Sequence, residues 1–184
     1  MLDRHYAWEV VRMTVRVDRI AVLRGNPIVP LQQRKPPFWR YNYLHNQVLF
    51  SSFHMSPQNL PHYIAELRRF GAKVLDGYPS TLYVIAKYLL NSGQKLKLHA
   101  VISSSETLYD FQREVIEQSF DCRVFDYFAA AERVTFSSEC DRHEGHHLAE
   151  EYGITEILDA AGQRVECGND GVLVGTSLHN YAMP

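Results

Sequence analysis

Apolar positions in the middle of the chain switch regularly between a helical and an extended spacing. Leu60, Ile64, Leu67 and Phe70 fall on one helical face, with Ser56-Pro57 as a start signal and Gly71 as a stop. Lys73-Val74-Leu75 then reads as a short strand ending at Gly77-Tyr78-Pro79. A second helix starts at Ser80, turns Leu82, Ile85, Ala86, Leu89 and Leu90 inward, and stops at Asn91-Ser92-Gly93. Leu98 to Ile102 is a buried-type strand ending in Ser103-Ser104-Ser105-Glu106, followed by a helix over Tyr109–Phe120 and a strand over Arg123–Phe125. The order is strand, helix, strand, helix, strand, with crossovers long enough for parallel pairing. The fold class is therefore α/β, a parallel βαβαβ sheet with flanking helices.

The flanks are less periodic. Trp8, Val11 and Val15 suit a short helix over Tyr6–Val17, Arg19–Leu23 and Gln47–Phe53 read as strands, and residues 30–40, with prolines at 30, 36 and 37, read as a loop. Past Ala129 a short helix is expected. Extended segments follow over Val134–His147, His147–Glu150, Gly153–Leu158 and Gly171–Thr176, with Asp159-Ala160-Ala161-Gly162 as a hairpin turn. We read 1–184 as a single partial domain: an α/β part over about residues 1–133 and a small β-rich appendix over about 134–184.

Composition narrows the classes of function. The 184 residues carry 19 Lys and Arg against 21 Asp and Glu, a formal charge of −2, so no basic excess exists to displace counterions from nucleic acid. No apolar run approaches the roughly 20 residues of a membrane helix, and the charged N-terminus does not resemble a secretory signal. Three sparse cysteines, Cys122, Cys140 and Cys167, suit a reduced, cytoplasmic protein.

In a parallel sheet the ligand crevice lies beyond the carboxyl ends of the strands. Here those ends carry Gly77-Tyr78, then Ser103-Ser104-Ser105-Glu106, then Asp126-Tyr127-Phe128-Ala129. Ordinary turn chemistry also places Gly, Ser and Asp at such positions, and Ser104-Ser105-Glu106 suits a helix cap as well as a ligand loop. Neither GxxxxGK[ST] nor GxGxxG occurs, and no GxSxG elbow marks a hydrolase. Cys140, His143, His146, His147 and Cys167 offer zinc-type donors, but no CxxC pair organises them. Packed or solvated side chains are the stronger reading of that group.

Six short motifs in order carry a resemblance. They are GYPS (77–80), VISSSE (101–106), VFDYFAAAE (124–132), the EC and GHH pieces within 139–147, GITEILD (153–159) and GVLVGTSLHNYAMP (171–184). From about residue 18 onward the chain resembles the adenylate-forming (AMP-binding) enzymes, on the branch of phenylacetate–CoA ligase and its capsular-polysaccharide-biosynthesis relatives. That resemblance implies activation of a carboxylic acid by ATP and Mg2+ to an acyl-adenylate, then transfer to coenzyme A. It implies that Ser104, Ser105, Glu106, Asp126, Tyr127, Phe128 and Ala129 surround the nucleotide, with Phe128 stacking on adenine. Glu132 matches the catalytic glutamate that binds magnesium, and His54 and Tyr78 match the acyl pocket. Two departures stand out: Ala129 replaces a glycine, and Ala131 replaces a hydroxyl residue near the α-phosphate. They leave open a degenerate module that binds a nucleotide or partner without catalysis. The resemblance further implies that the phosphate loop, the ribose-binding aspartate and the mobile C-terminal domain are absent, so that this stretch alone turns over negligibly.

Overall fold

The computed structural model describes residues 17–178. The helix expected over Tyr6–Val17 lies outside them, apart from Val17 itself. Strands β1 (Ile20–Arg24), β2 (Trp39–Asn42) and β3 (Gln47–Ser51) precede helix α1 (Leu60–Phe70). The periodic middle follows as β4 (Val74–Gly77), α2 (Pro79–Asn91), β5 (Ala100–Ser104), α3 (Asp110–Phe120) and β6 (Arg123–Ala129). Strands β7 (Phe136–Glu139), β8 (His146–Leu148), β9 (Gly153–Leu158) and β10 (Val172–Ser177) complete the described chain.

Eight strands form one sheet in the order β2-β3-β1-β4-β5-β6-β7-β8. The five from β3 to β6 in that order run parallel, with Leu23 beside Gly77, Gly77 beside Ser103, and Ser104 beside Tyr127. The α/β class and the parallel core expected from periodicity are therefore present. Helices α1, α2 and α3 bury their apolar faces in one core with Ala21, Leu23, Val48, Leu75, Val101 and Val124. The alternate strand residues, among them Ile20, Val22, Val74, Ala100 and Ile102, form a second core with Tyr127, Phe136 and Tyr152. A sheet buried on both faces explains why its strands read as continuous apolar runs.

Several local expectations change, and the extended segment expected over Val134–His147 is two strands, β7 and β8, joined by a turn over 140–145. No helix follows Ala129: β6 runs four residues further than Phe125, and a tight turn over 130–135 reverses it into β7. That turn is closed by hydrogen bonds from Ala130 N–H to Thr135 O and from Arg133 N–H to Ala130 O, with Arg133 at φ +60°. Trp39–Asn42, within and just past the expected loop, is an edge strand antiparallel to β3. Helix α1 begins at Leu60, because the Ser56 carbonyl instead receives the Asn59 and Leu60 N–H groups in a preceding turn. Its expected stop holds, with Gly71 left-handed at φ +66°.

The β-rich continuation divides between two sheets. Strands β7 and β8 extend the large sheet antiparallel, whereas β9 and β10 pair only with each other among the named strands. Gly153 and Gly175 lie against Val134, where a Cβ on Gly153 would approach the Val134 carbonyl oxygen to 2.1 Å. Bare backbone at these positions lets the β9–β10 pair seat against the end of the large sheet. Among the described residues no helix is long and apolar enough to cross a membrane.

Candidate functional site

The carboxyl ends of β5 and β6 open into a cleft of about 890 Å3. One wall is the loop from Ser105 to Leu108, and the other is β6 from Asp126 to Ala129. Ser105 adopts φ +69°, which swings the chain out of β5. Phe128 is 44% exposed, so a large aromatic face stands open where most such rings are covered. Ala131, Ser137, His146 and Leu173 complete the lining, the last contributed by β10.

Ser104 does not line the cleft. Strand alternation turns it onto the sheet face shared with Ile102 and its register partner Tyr127, where it is buried. Glu106 lines the cleft and also accepts the Ser80 N–H at 3.0 Å, capping α2 rather than the helix that follows it. This bond ties the loop after β5 to the end of β4.

Asp126 is the most elaborately held wall residue. Its carboxylate accepts from the Ser103 hydroxyl and lies 3.6 Å from His146 Nε2, while its backbone N–H donates to Glu139 at 2.9 Å. Burial pushes the Asp126 carboxyl up to about 6, against the opposing effects of the Ser103 hydrogen bond and His146. Glu139 is in turn paired with Arg113 at 2.6 Å and faces His143 at 3.4 Å. The wall is thus a chain of charged groups held from α3, β7 and the loop before β8.

The remaining expected residues lie elsewhere. Glu132 is exposed in the β6–β7 turn, outside the cleft lining, while its neighbour Ala131 is part of it. His54 is buried after β3, bonded to Ser51 Oγ at 2.8 Å and stacked on Phe38 at 5.1 Å. Tyr78 is half-buried at the start of α2, with its ring against Gly25. Neither lines the cleft.

The candidate zinc donors do not converge. His146 bonds Ser137 and faces Asp126, His143 packs on Phe125 at 4.8 Å, and Cys140 and Cys167 are free thiols. Among the described residues no three His, Cys, Asp or Glu side chains form a metal-holding group. For magnesium the donor chemistry fits more loosely. Such an ion keeps several waters and binds one or two carboxylates plus phosphates, so a single carboxylate such as Glu132 suffices only when phosphates are present.

Sequence reasoning missed Ser137 and Leu173, which arrive from β7 and β10. It found His146 for a different reason, as a potential metal ligand. Nothing local marks Leu173, because only the seating of β9 and β10 against Val134 brings it to the cleft.

Solved structures place this architecture among the CoA ligases. The 2-hydroxyisobutyryl-CoA ligase, solved in complex with 2-HIB-AMP and CoA, superposes with a TM-score of 0.62 at 16% identity over 95% of this chain and 43% of its own. The acyl-CoA synthetase of Brucella canis superposes with a TM-score of 0.59 at 16% identity, over 91% of this chain and 32% of its own. The fold is that of the adenylate-forming CoA ligases. In sequence the chain is similar to Protein CapK of Staphylococcus aureus, 38% identical over 117 residues. That match takes in 62% of this chain and about a quarter (26%) of Protein CapK. No protein-family model matches the chain. The resemblance read from the six motifs is thus met in fold by the ligases and in sequence by Protein CapK.

Proposed function

We propose that this chain forms one wall of the nucleotide site in an acyl-adenylating ligase. The parent enzyme joins a carboxylic acid to ATP, a carboxylate oxygen attacking the α-phosphorus as pyrophosphate leaves, and the thiol of CoA then takes the acyl group as AMP leaves. The observation that carries this reading is the exposed Phe128 ring, which lines one cleft together with the Ser105–Leu108 loop. A purine needs a flat, partly apolar slot, and an aromatic ring beside a loop carrying Ser105, Thr107 and Leu108 provides one. In this reading Phe128 stacks on adenine, and Ser105 and Glu106 with the β6 backbone flank its edges. Asp126 and Ala129 shape the remaining wall. Glu132 would hold magnesium, which would offset the charge of the phosphates when ATP is bound. His54 and Tyr78 belong to the acyl side of the enzyme. The three free thiols and the absence of basic excess suit a cytoplasmic protein that does not act on nucleic acid.

Calorimetric titration with AMP tests the site. Phe128→Ala removes a base–aromatic stack worth about 1–3 kcal/mol, so affinity falls roughly five- to 150-fold. An unchanged affinity in the folded variant rejects the assignment. We also expect residues 1–184 alone to give negligible pyrophosphate exchange with a panel of aryl and fatty acids, and clear turnover would overturn that expectation.

A second reading is favoured by one observation. Ala131 lines the cleft, at the position where the family resemblance implies a hydroxyl residue near the α-phosphate. Losing a hydrogen bond from that hydroxyl costs about 1–3 kcal/mol, which suits a module that binds without turning over.

A further inference from the structure

On the sheet face opposite the three helices, a buried cation spans four adjacent strands. Arg24, the last residue of β1, donates through Nη2 to Asp76 of β4 at 2.6 Å and to the Tyr127 hydroxyl of β6 at 2.6 Å. Its guanidinium lies 5.8 Å from the centre of the Tyr127 ring. Asp76 is wholly buried, and Arg24 retains 12% side-chain exposure. To join β1 to β6 the bridge passes over β5, and the register puts Ser104 on that same face, beside Tyr127.

As a stabilising device this arrangement is poor. A buried ion pair returns little net stability unless every polar atom is satisfied, yet Asp76 Oδ2 and Arg24 Nε have no hydrogen-bond partner. Its value is positional. Tyr127 stands between Asp126 and Phe128, whose side chains alternate onto the opposite sheet face at the cleft. Anchoring the Tyr127 hydroxyl sets the roll of β6 at its rim, and with it the angle at which Phe128 meets a ring.

We propose that Arg24, oriented by Asp76, is a positioning residue for the nucleotide cleft and acts through the hydroxyl of Tyr127. This inference rests on the reading of the cleft as a nucleotide site. Arg24 is absent from the cleft lining and touches no substrate in that reading.

The test is a double-mutant cycle read by AMP titration of the chain, with thermal melting as the control for folding. Tyr127→Phe deletes one hydroxyl and keeps the ring. Arg24→Lys keeps the charge beside Asp76 and loses the planar guanidinium that serves two acceptors at once. Each variant is expected to weaken AMP binding about three- to tenfold, the equivalent of one net hydrogen bond. Arg24→Lys made on top of Tyr127→Phe should add nothing further. Two folded single variants with wild-type affinity overturn the proposal and leave the nucleotide site standing. So do losses that simply add in the double variant. If Arg24→Lys does not fold, Arg24→Gln takes its place in the cycle and must show the same loss, absent on the Tyr127→Phe background, because Tyr127 itself lines the cleft. A wild-type chain that takes up no AMP removes both this proposal and the site reading beneath it.

Discussion

Gly153→Ala lowers the melting temperature of this chain by roughly 10 °C and opens the cleft at β5 and β6 on one side. The added Cβ meets the Val134 carbonyl oxygen at 2.1 Å and the Thr176 carbonyl oxygen at 2.9 Å, and both obstacles are backbone. Neither can rotate away as a side chain would, so β9 must lift from its seat. Overpacking of this kind costs typically about 1–3 kcal/mol and here falls at the upper end. For a chain of this length each kcal/mol moves the transition by about 2–4 °C. Because β10 pairs with β9 along its whole length and carries Leu173 into the cleft, the same displacement strips an apolar wall from the site. Differential scanning calorimetry and AMP titration of one sample report both effects. A variant that melts with the wild type shows that Val134 moves freely, and the seating argument then fails.

The second large effect is a pH dependence centred on Asp126. Its carboxyl is raised from 3.8 to about 6, chiefly by burial, so the protonated form is the one the fold prefers. The stabilisation is fully present below about pH 4 and is lost as the pH climbs through about 6. A difference of that size between the folded and unfolded chain is worth about 3 kcal/mol. Asp126→Asn holds the neutral shape at every pH and keeps an oxygen for the Ser103 hydroxyl. We expect the variant to exceed the wild type by about 2–3 kcal/mol at pH 7 and to match it near pH 4, measured by urea unfolding at both values. A variant that is less stable at pH 7 would mean that His146 and Arg113 outweigh burial.

Where local physics decides, the sequence foretold the structure closely. The stop of α1 at Gly71, the body of α2 and the full extent of β9 appear where their residues call for them. Two of the three expected strand ends meet at the rim, with Ser105, Glu106, Asp126, Tyr127, Phe128 and Ala129 on the cleft, while Gly77-Tyr78 stays out of its lining. Ser104 is left out because it is buried within the sheet beside Tyr127, short of the point where Ser105 swings the chain out of β5. The failures share a cause as well. Trp39–Asn42 is extended because β3 offers it an edge, and no propensity of its own announces that pairing. The short helix expected between Ala129 and Val134 is absent, because a tight reversal over 130–135 carries β6 into β7. Long-range assembly likewise explains Leu173 and the Arg24 bridge: Arg24 and Tyr127, 103 positions apart, meet only once the sheet has formed.

The Glu106 carboxylate gives the rim a mechanical property of its own. While it holds the amide of Ser80, the first turn of α2 has a partner for a group that would otherwise depend on water. A ligand that recruits the same oxygens must break that clasp and leave the start of α2 to fray. Occupancy would then be visible at a distance, as faster amide exchange near residue 80, before any chemistry begins.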